Sequence, residues 1–326
     1  MSQMTKARNE GFDVLKGVAC VAVVFMHCEF PGVFGILVQC LTRWSVPLFF
    51  AVSGYFFTKE TIDECFRKAR HIESVTVWAV AVYVVIECIV HSVLMDLSTY
   101  AASEFTLFNI ASFVIFNSPV FIQGHLWFLF ALIYVYFSVA LLLKLDLFRY
   151  KKAICIVLLC CHFILAYGLY LAGREIQGGA YRNFLFEGLP FFIIGNILAK
   201  RGEKKQQLYI GIVLIFAGFF LSLIERILLG RDFSVHIGSV STLIGLILFV
   251  KNAKNIAWPK ILRIMGEKLS LYIYIIHPAV YMMTESLLKE QELIMQWIRP
   301  IYTLTASIII AMIIYKIQQK RILKNE

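Results

Sequence analysis

The feature that most limits this chain is an alternation along it: apolar stretches of about 20 residues are separated by short breaks that carry most of the basic residues. About 20 apolar residues is the length an α-helix needs to cross a bilayer. Lipid offers the backbone no hydrogen-bond partners, so a spanning segment must satisfy its own N–H and C=O groups, which a helix does. Marking stretches and breaks predicts helices at about 11–30, 41–58, 71–94, 125–144, 152–172, 184–200, 207–229, 235–251, 267–288 and 297–316. The apolar supply agrees: 60% of the 326 residues are hydrophobic, about 196 positions, enough to fill about ten spans. Only 16% are charged. With a mean hydropathy of +0.77, this rules out a disordered chain, a disulfide-stapled secreted domain and a water-soluble enzyme. The sequence therefore predicts an all-α, polytopic membrane helix bundle of about ten transmembrane helices, a single integral membrane domain over 1–326.

A formal charge of +10 would suggest a nucleic-acid partner in a soluble chain. Here the charges sit in short runs between spans and report topology, so the bilayer is the expected partner and nucleic acid is not. Alternate breaks differ sharply. The N-terminus (Lys6, Arg8), 59–70, 144–152, 200–205, 251–268 and the tail together hold 23 Lys and Arg, whereas the other breaks hold seven, among them Arg174, Arg231, Lys289 and Arg299. By the positive-inside rule both termini are expected in the cytoplasm, with an even number of spans. Asp13 and Lys16 interrupt the first apolar run and no small-x-small cleavage site follows, so it reads as an uncleaved span. Of eight cysteines, Cys20, Cys88, Cys155, Cys160 and Cys161 lie inside apolar runs and read as small hydrophobes. None forms a CxxC pair or a Cys/His metal spacing, and no metal is expected. Cys28 and Cys40 are the pair that a first outer loop could bring together. Segment 95–124 has no Lys or Arg yet is rich in Phe, Ile and Val, as expected of a piece lying on or dipping into the membrane.

Ionisable groups within a bilayer cost about 2.5–3.5 kcal/mol on insertion scales, so each one raises a functional question. Lys16 and His27 are 11 positions apart; at about 100° per residue they share a helix face, roughly 16 Å apart along the axis. Asp13 and Cys20 fall near the same stripe, which predicts a polar line facing the bundle. Lys16 could simply snorkel to headgroups and His27 could be a hydrogen-bonded interior histidine, but an imidazole there also suits proton transfer. Around the outer ends, Arg43, His125, Arg182, Asn183 and Glu187 could converge with His27 to orient a hydroxyl or stabilise an oxyanion. Alternatively, His125 and Trp127 belong to an interfacial aromatic belt and Arg182 pairs with lipid phosphate or Glu187. His277 precedes Pro278, with Tyr274 and Tyr281 nearby and Glu285 farther out. It either satisfies a carbonyl freed by the proline or takes part in chemistry. Glu87 suits proton coupling or a helix-bridging hydrogen bond. His71, His91, His162 and His236 read as packing or interfacial residues. Arg67, Lys68, Arg70 and His71 make a cationic patch that fits a phosphate-rich donor or mere topology. No Walker, GxGxxG or GxSxG pattern is present.

Five words, RNEGFDVLKGVACVAVVFMH (8–27), RWSVPLFFAVSGYFF (43–57), GHLWFLFALIYVY (124–136), RNFLFEGLPFFIIG (182–195) and LSLYIYIIHPAVY (269–281), resemble in order those of the acyltransferase-3 family of integral membrane acyltransferases, over about 8–316. The resemblance implies a ten-helix fold that takes an acyl group, usually acetyl, from cytoplasmic acyl-CoA to an acceptor at the outer face. That acceptor is commonly a hydroxyl of a cell-envelope carbohydrate, and the expected location is the cytoplasmic membrane of a bacterium. The family's first-span histidine matches His27, which is implied as general base or transient acyl carrier, assisted by a polar neighbour such as Glu187, His125 or His277. Lys16, Arg43, Arg67, Arg70, His125, Trp127, Arg182 and Asn183 complete the candidate substrate contacts. Where the family commonly has arginine 11 residues before the histidine, this sequence has Lys16, which keeps the charge but loses the bidentate fork. The family's basic stretch usually runs through arginines to a proline; Arg67 and Arg70 match loosely, and no proline follows. The RNFLFEGLPFF word is also similar to the membrane portion of membrane-bound serine/alanine racemases, which implies, as an alternative, transport of a small solute such as serine.

Overall fold

The computed structural model describes residues 9–94, 97–117, 123–174, 178–253, 256–287 and 293–325, and no strand occurs among them. The helices in chain order are α1 (Glu10–His27), α2 (Gly32–Thr42), α3 (Ser45–Tyr55), α4 (Ile62–Leu94), α5 (Leu97–Glu104), α6 (Leu107–Phe116), α7 (Trp127–Lys144), α8 (Lys151–Phe163), α9 (Leu169–Leu171), α10 (Leu189–Lys200), α11 (Lys205–Leu229), α12 (Ile237–Asn252), α13 (Lys260–Ile264), α14 (Ser270–Leu287) and α15 (Leu293–Asn325). Single π-helical turns at Ile164–Gly168, Phe184–Gly188 and Met265–Leu269 lead into α9, α10 and α14.

Each of the ten stretches expected to be helical is helical over most of its described length. Among the described residues, six pieces are long and apolar enough to cross a membrane: Gly32–Tyr55, Ile62–Val90, Gly124–Lys144, Phe148–Leu171, Lys205–Leu229 and Leu293–Arg321, with Ile237–Asn252 a shorter apolar helix. α1 falls outside this set; it carries Glu10, Asp13 and Lys16.

Two boundaries differ from the sequence reading. The loop expected after residue 30 is helical from Gly32, and Cys28 and Cys40 are free, buried thiols rather than a disulfide. The basic break at 59–70 is mostly the opening of α4. There Thr61 Oγ1 accepts the Glu64 backbone N–H (3.3 Å) while the Glu64 carboxylate accepts from the Lys59 N–H (2.9 Å). The Thr61 bond satisfies one of the donors that a helix start leaves open, and the Glu64 carboxylate ties the helix to the segment before the cap. Segment 95–124 contributes α5 and α6, and Leu107, Phe108, Val114 and Ile115 of α6 are exposed. Lys6, Arg8, Lys254 and Lys289 of the charge pattern lie outside the described residues, as do the side chains of His91 and Glu285.

The chain forms two compact units, Met1–Phe49 with Arg201–Glu326, and Phe50–Lys200. In the first, α1 packs against α2, α12, α13, α14, α15 and the Met265–Leu269 turn. Lipid tails are as apolar as leucine, so packing between such helices depends on close approach. Two glycines provide it: a Cβ on Gly17 would lie 2.1 Å from the Leu262 carbonyl oxygen, and one on Gly266 1.7 Å from that of Asp13. Cys20, Val24, Met265, Leu269, Ile273 and Ala311 form the core beside this crossing. In the second unit, α4 packs on α7, α8 on α10, and the Phe184–Gly188 turn on α7 and α8. Phe192 sits among Phe57 and Tyr136, with ring centroids 5.5 and 5.4 Å away.

Candidate functional site

In the first unit, the line of α1 expected to face the bundle does so only in part. Asp13 and Cys20 are buried, Lys16 is half-buried and His27, the last residue of the helix, is exposed. Lys16 Nζ lies 2.9 Å from Asp13 Oδ1, so its charge is compensated one turn away rather than left in the bundle. The α1–α14 packing brings His27 beside His277, their ring centroids 5.3 Å apart. His277 is buried, and its Nδ1 lies 3.0 Å from the Ile273 carbonyl oxygen. A carbonyl only accepts, so Nδ1 carries the proton in the neutral ring and Nε2 is the acceptor side. His277 thus bonds a helix carbonyl, but Ile273 lies five residues before Pro278, so this is not the carbonyl four residues back that the proline frees. Next along the chain from His27, Cys28 Sγ lies 3.7 Å from Thr303 Oγ1, which is 3.3 Å from Thr284 Oγ1. The Arg299 guanidinium sits 5.3 Å from the Tyr281 ring centroid.

Arg43 belongs to a separate cluster of the same unit. Its Nη2 donates to Gln39 Oε1 (2.8 Å) and lies 3.7 Å from Asp232. Asp232 also meets Arg226 at 3.2 Å and His236 at 3.9 Å. His236 is fully buried at the N-cap position of α12. Glu225 accepts from the backbone N–H groups of Ile237 (2.9 Å) and Gly238 (2.8 Å), placing a carboxylate at the α12 N-terminus, where the helix dipole favours it.

The second unit gathers the remaining candidates. Arg67, Arg70, Asp63, Glu73, Phe66 and Phe137 line an open cleft of about 530 Å³. Lys68 is turned away from it onto Glu64 and the Phe56 carbonyl. The buried His125 imidazole stands edge-on to Tyr83, centroids 4.7 Å apart. Arg182 lies over the Trp127 ring at 4.8 Å, a cation–π contact. Asn183 turns all its polar atoms onto the backbone: Oδ1 accepts from Leu185 and Phe186, and Nδ2 donates to Gly179 and Ala180. That cap opens the π-turn holding the buried Glu187. Glu87 of α4 accepts from Gln123 Nε2 at 2.5 Å, a hydrogen bond to the residue just before the Gly124–Leu126 turn.

Sequence reasoning missed Gln39, Asp232, Glu60 and Asn117. Gln39 had a signal, a lone amide in the apolar run GILVQCL. The buried Asn117 bridges the Phe184 N–H (2.8 Å), 67 residues away along the chain, and the Trp127 carbonyl (3.2 Å). Among the described residues no group of three or more His, Cys, Asp or Glu side chains could hold a metal ion. A family model described as an acyltransferase domain matches residues 9–316, nearly the whole chain. No curated relative and no solved structure matches it.

Proposed function

This chain belongs to the acyltransferase-3 family, and on that footing we propose that it is a membrane O-acyltransferase using acyl-CoA, with acetyl-CoA as the first donor to test. The acceptor we propose is a hydroxyl of a cell-envelope carbohydrate or lipid-linked sugar at the outer face of a bacterial cytoplasmic membrane. The observation that carries the reading is the His27–His277 pair, with centroids 5.3 Å apart. His27 takes the proton of the acceptor hydroxyl as its oxygen bonds to the thioester carbonyl carbon. The C–S bond breaks, and CoA leaves as a thiol once the imidazolium returns the proton. His277 supports this step as the imidazole packed beside His27, with its Nδ1 held by the Ile273 carbonyl so that the ring is fixed in place. Arg67 and Arg70, exposed in a cleft large enough for part of a nucleotide, are the residues we assign to the donor's phosphates. Lys16, paired with Asp13, is kept as a candidate donor contact of the first unit, and Glu187, His125, Trp127 and Arg182 are kept as candidate acceptor contacts of the second unit. Transport of a small solute has no observation in its favour.

The test is transfer of label from radiolabelled acetyl-CoA into lipid-linked and polymer fractions, with free CoA measured, in vesicles carrying wild type or His27→Ala. Removing a general base costs about 10²- to 10⁴-fold in rate, so wild type should release CoA and move label while the variant does not at equal abundance. Equal activity in the variant would refute the assignment.

A further inference from the structure

We propose that Gln39 is a positioning residue that holds the last turn of α1, and with it His27, in place for proton transfer, and that Arg43 locks Gln39 in the orientation this requires. The inference rests on His27 being the reacting base. A helix leaves its last carbonyls without intrahelical partners, and in α1 these lie immediately before His27. The Val24 carbonyl takes the Cys28 N–H at 2.9 Å. The next two are taken by one side chain from α2: Gln39 Nε2 lies 3.2 Å from the Phe25 oxygen and 3.1 Å from the Met26 oxygen.

An amide could present either end to those carbonyls, and its neighbour decides which. A guanidinium has donors and no acceptor. Arg43 Nη2, 2.8 Å from Gln39 Oε1, therefore fixes the oxygen on its own side and leaves both N–H groups for α1. Arg43 is held in turn by Asp232, which also engages Arg226. Gln39 is 2% exposed. A flipped or missing amide would leave two half-buried carbonyls without this donor, a cost that rises with their removal from water. The arrangement acts on the backbone one and two residues before His27 without touching the imidazole, so its loss displaces the base rather than removing it.

The experiment compares Gln39→Met, Gln39→Glu, Arg43→Met and Arg43→Lys in membrane vesicles, reading CoA release from acetyl-CoA per molecule of protein against donor concentration. Gln39→Met keeps the volume and loses both carbonyl contacts; Gln39→Glu keeps the pairing with Arg43 and turns a carboxylate toward them. Both should lower the maximal rate by about 10- to 100-fold, the scale of a displaced catalytic group, with the half-saturating acetyl-CoA concentration unchanged. Arg43→Lys, which retains a charged donor, should lose less than Arg43→Met. A Gln39→Met protein that turns over at the wild-type rate per molecule overturns the proposal, whether or not its abundance falls. His27→Ala run alongside separates the two readings: inactive His27→Ala with fully active Gln39→Met sinks the positioning role alone, whereas active His27→Ala sinks both.

Discussion

Glu60 adopts a left-handed backbone conformation, φ +47°, which few residues other than glycine tolerate. Its carboxylate reaches Lys151 Nζ at 2.8 Å and Lys200 Nζ at 2.6 Å, and Lys151 also donates to Asn196, itself bonded to the Phe57 carbonyl. These lysines counted in the sequence only as markers of a cytoplasmic break; in the fold they join the ends of α3, α8 and α10. Burial alone would raise the Glu60 carboxyl, but the hydrogen bonds from Lys151 and Lys200 outweigh it and hold it below its ordinary 4.5. A carboxylate depressed in the folded state stabilises it above the unfolded-state value, and that contribution is lost as pH falls through the folded value. Glu60→Gln should thus cost about 1–3 kcal/mol at neutral pH. Thermal midpoints of the detergent-solubilised protein should also fall more steeply for wild type than for Glu60→Gln on acidification below 4.5. Parallel curves would remove Glu60 from this role. The contrast with His27 shows what sequence can reveal: the Lys16–His27 face follows from helical periodicity, which is local, whereas His277 and the Arg43–Asp232 contact depend on partners far along the chain.

The helices themselves were legible because span and break differ so sharply in polarity, and their errors have local causes. α2 begins inside an expected loop because Gly32 and the apolar residues after it continue as helix, and α4 starts early because Thr61 caps it. What periodicity could not give is which helices cross at backbone contact. That is decided by Gly17 and Gly266, where an added Cβ would meet a carbonyl oxygen of the partner segment. A backbone carbonyl cannot swing aside as a side chain can, so Gly266→Ala must open the α1 crossing that sets the distance between His27 and His277. Overpacking a core costs about 1–3 kcal/mol or more. Gly266→Ala should lower the thermal midpoint and reduce transfer per folded molecule, while Gly202→Ala, with nothing within 4 Å of the new Cβ, should change neither. An unaltered Gly266→Ala protein would show that this crossing does not hold the site.

Across the whole molecule, the charge pattern and the helix lengths give different counts. Ten spans follow from the apolar supply and from alternating basic breaks, whereas six pieces among the described residues are both long and apolar enough on their own. α1 and the segment Met265–Leu287 are outside the six and carry the polar residues of the candidate site: Asp13, Lys16 and His27 in one, His277 in the other. A helix can cross with such groups if they face protein and pair there, as Lys16 does with Asp13. One position separates the counts. Glu29, exposed just after α1, lies across the membrane from the N-terminus if α1 spans, and on the same side if spanning starts with Gly32–Tyr55. Gly202 and Lys320 lie on the N-terminal side under either count. With the exposed thiols Cys88 and Cys160 replaced by serine, single cysteines at these three positions can be labelled with a membrane-impermeant maleimide on intact cells and on opened membranes. The expected result is Glu29→Cys labelled on intact cells, with Gly202→Cys and Lys320→Cys labelled only after opening. Glu29→Cys behaving like the other two would remove α1 from the membrane-crossing set, and with it the placement of His27 inside a span.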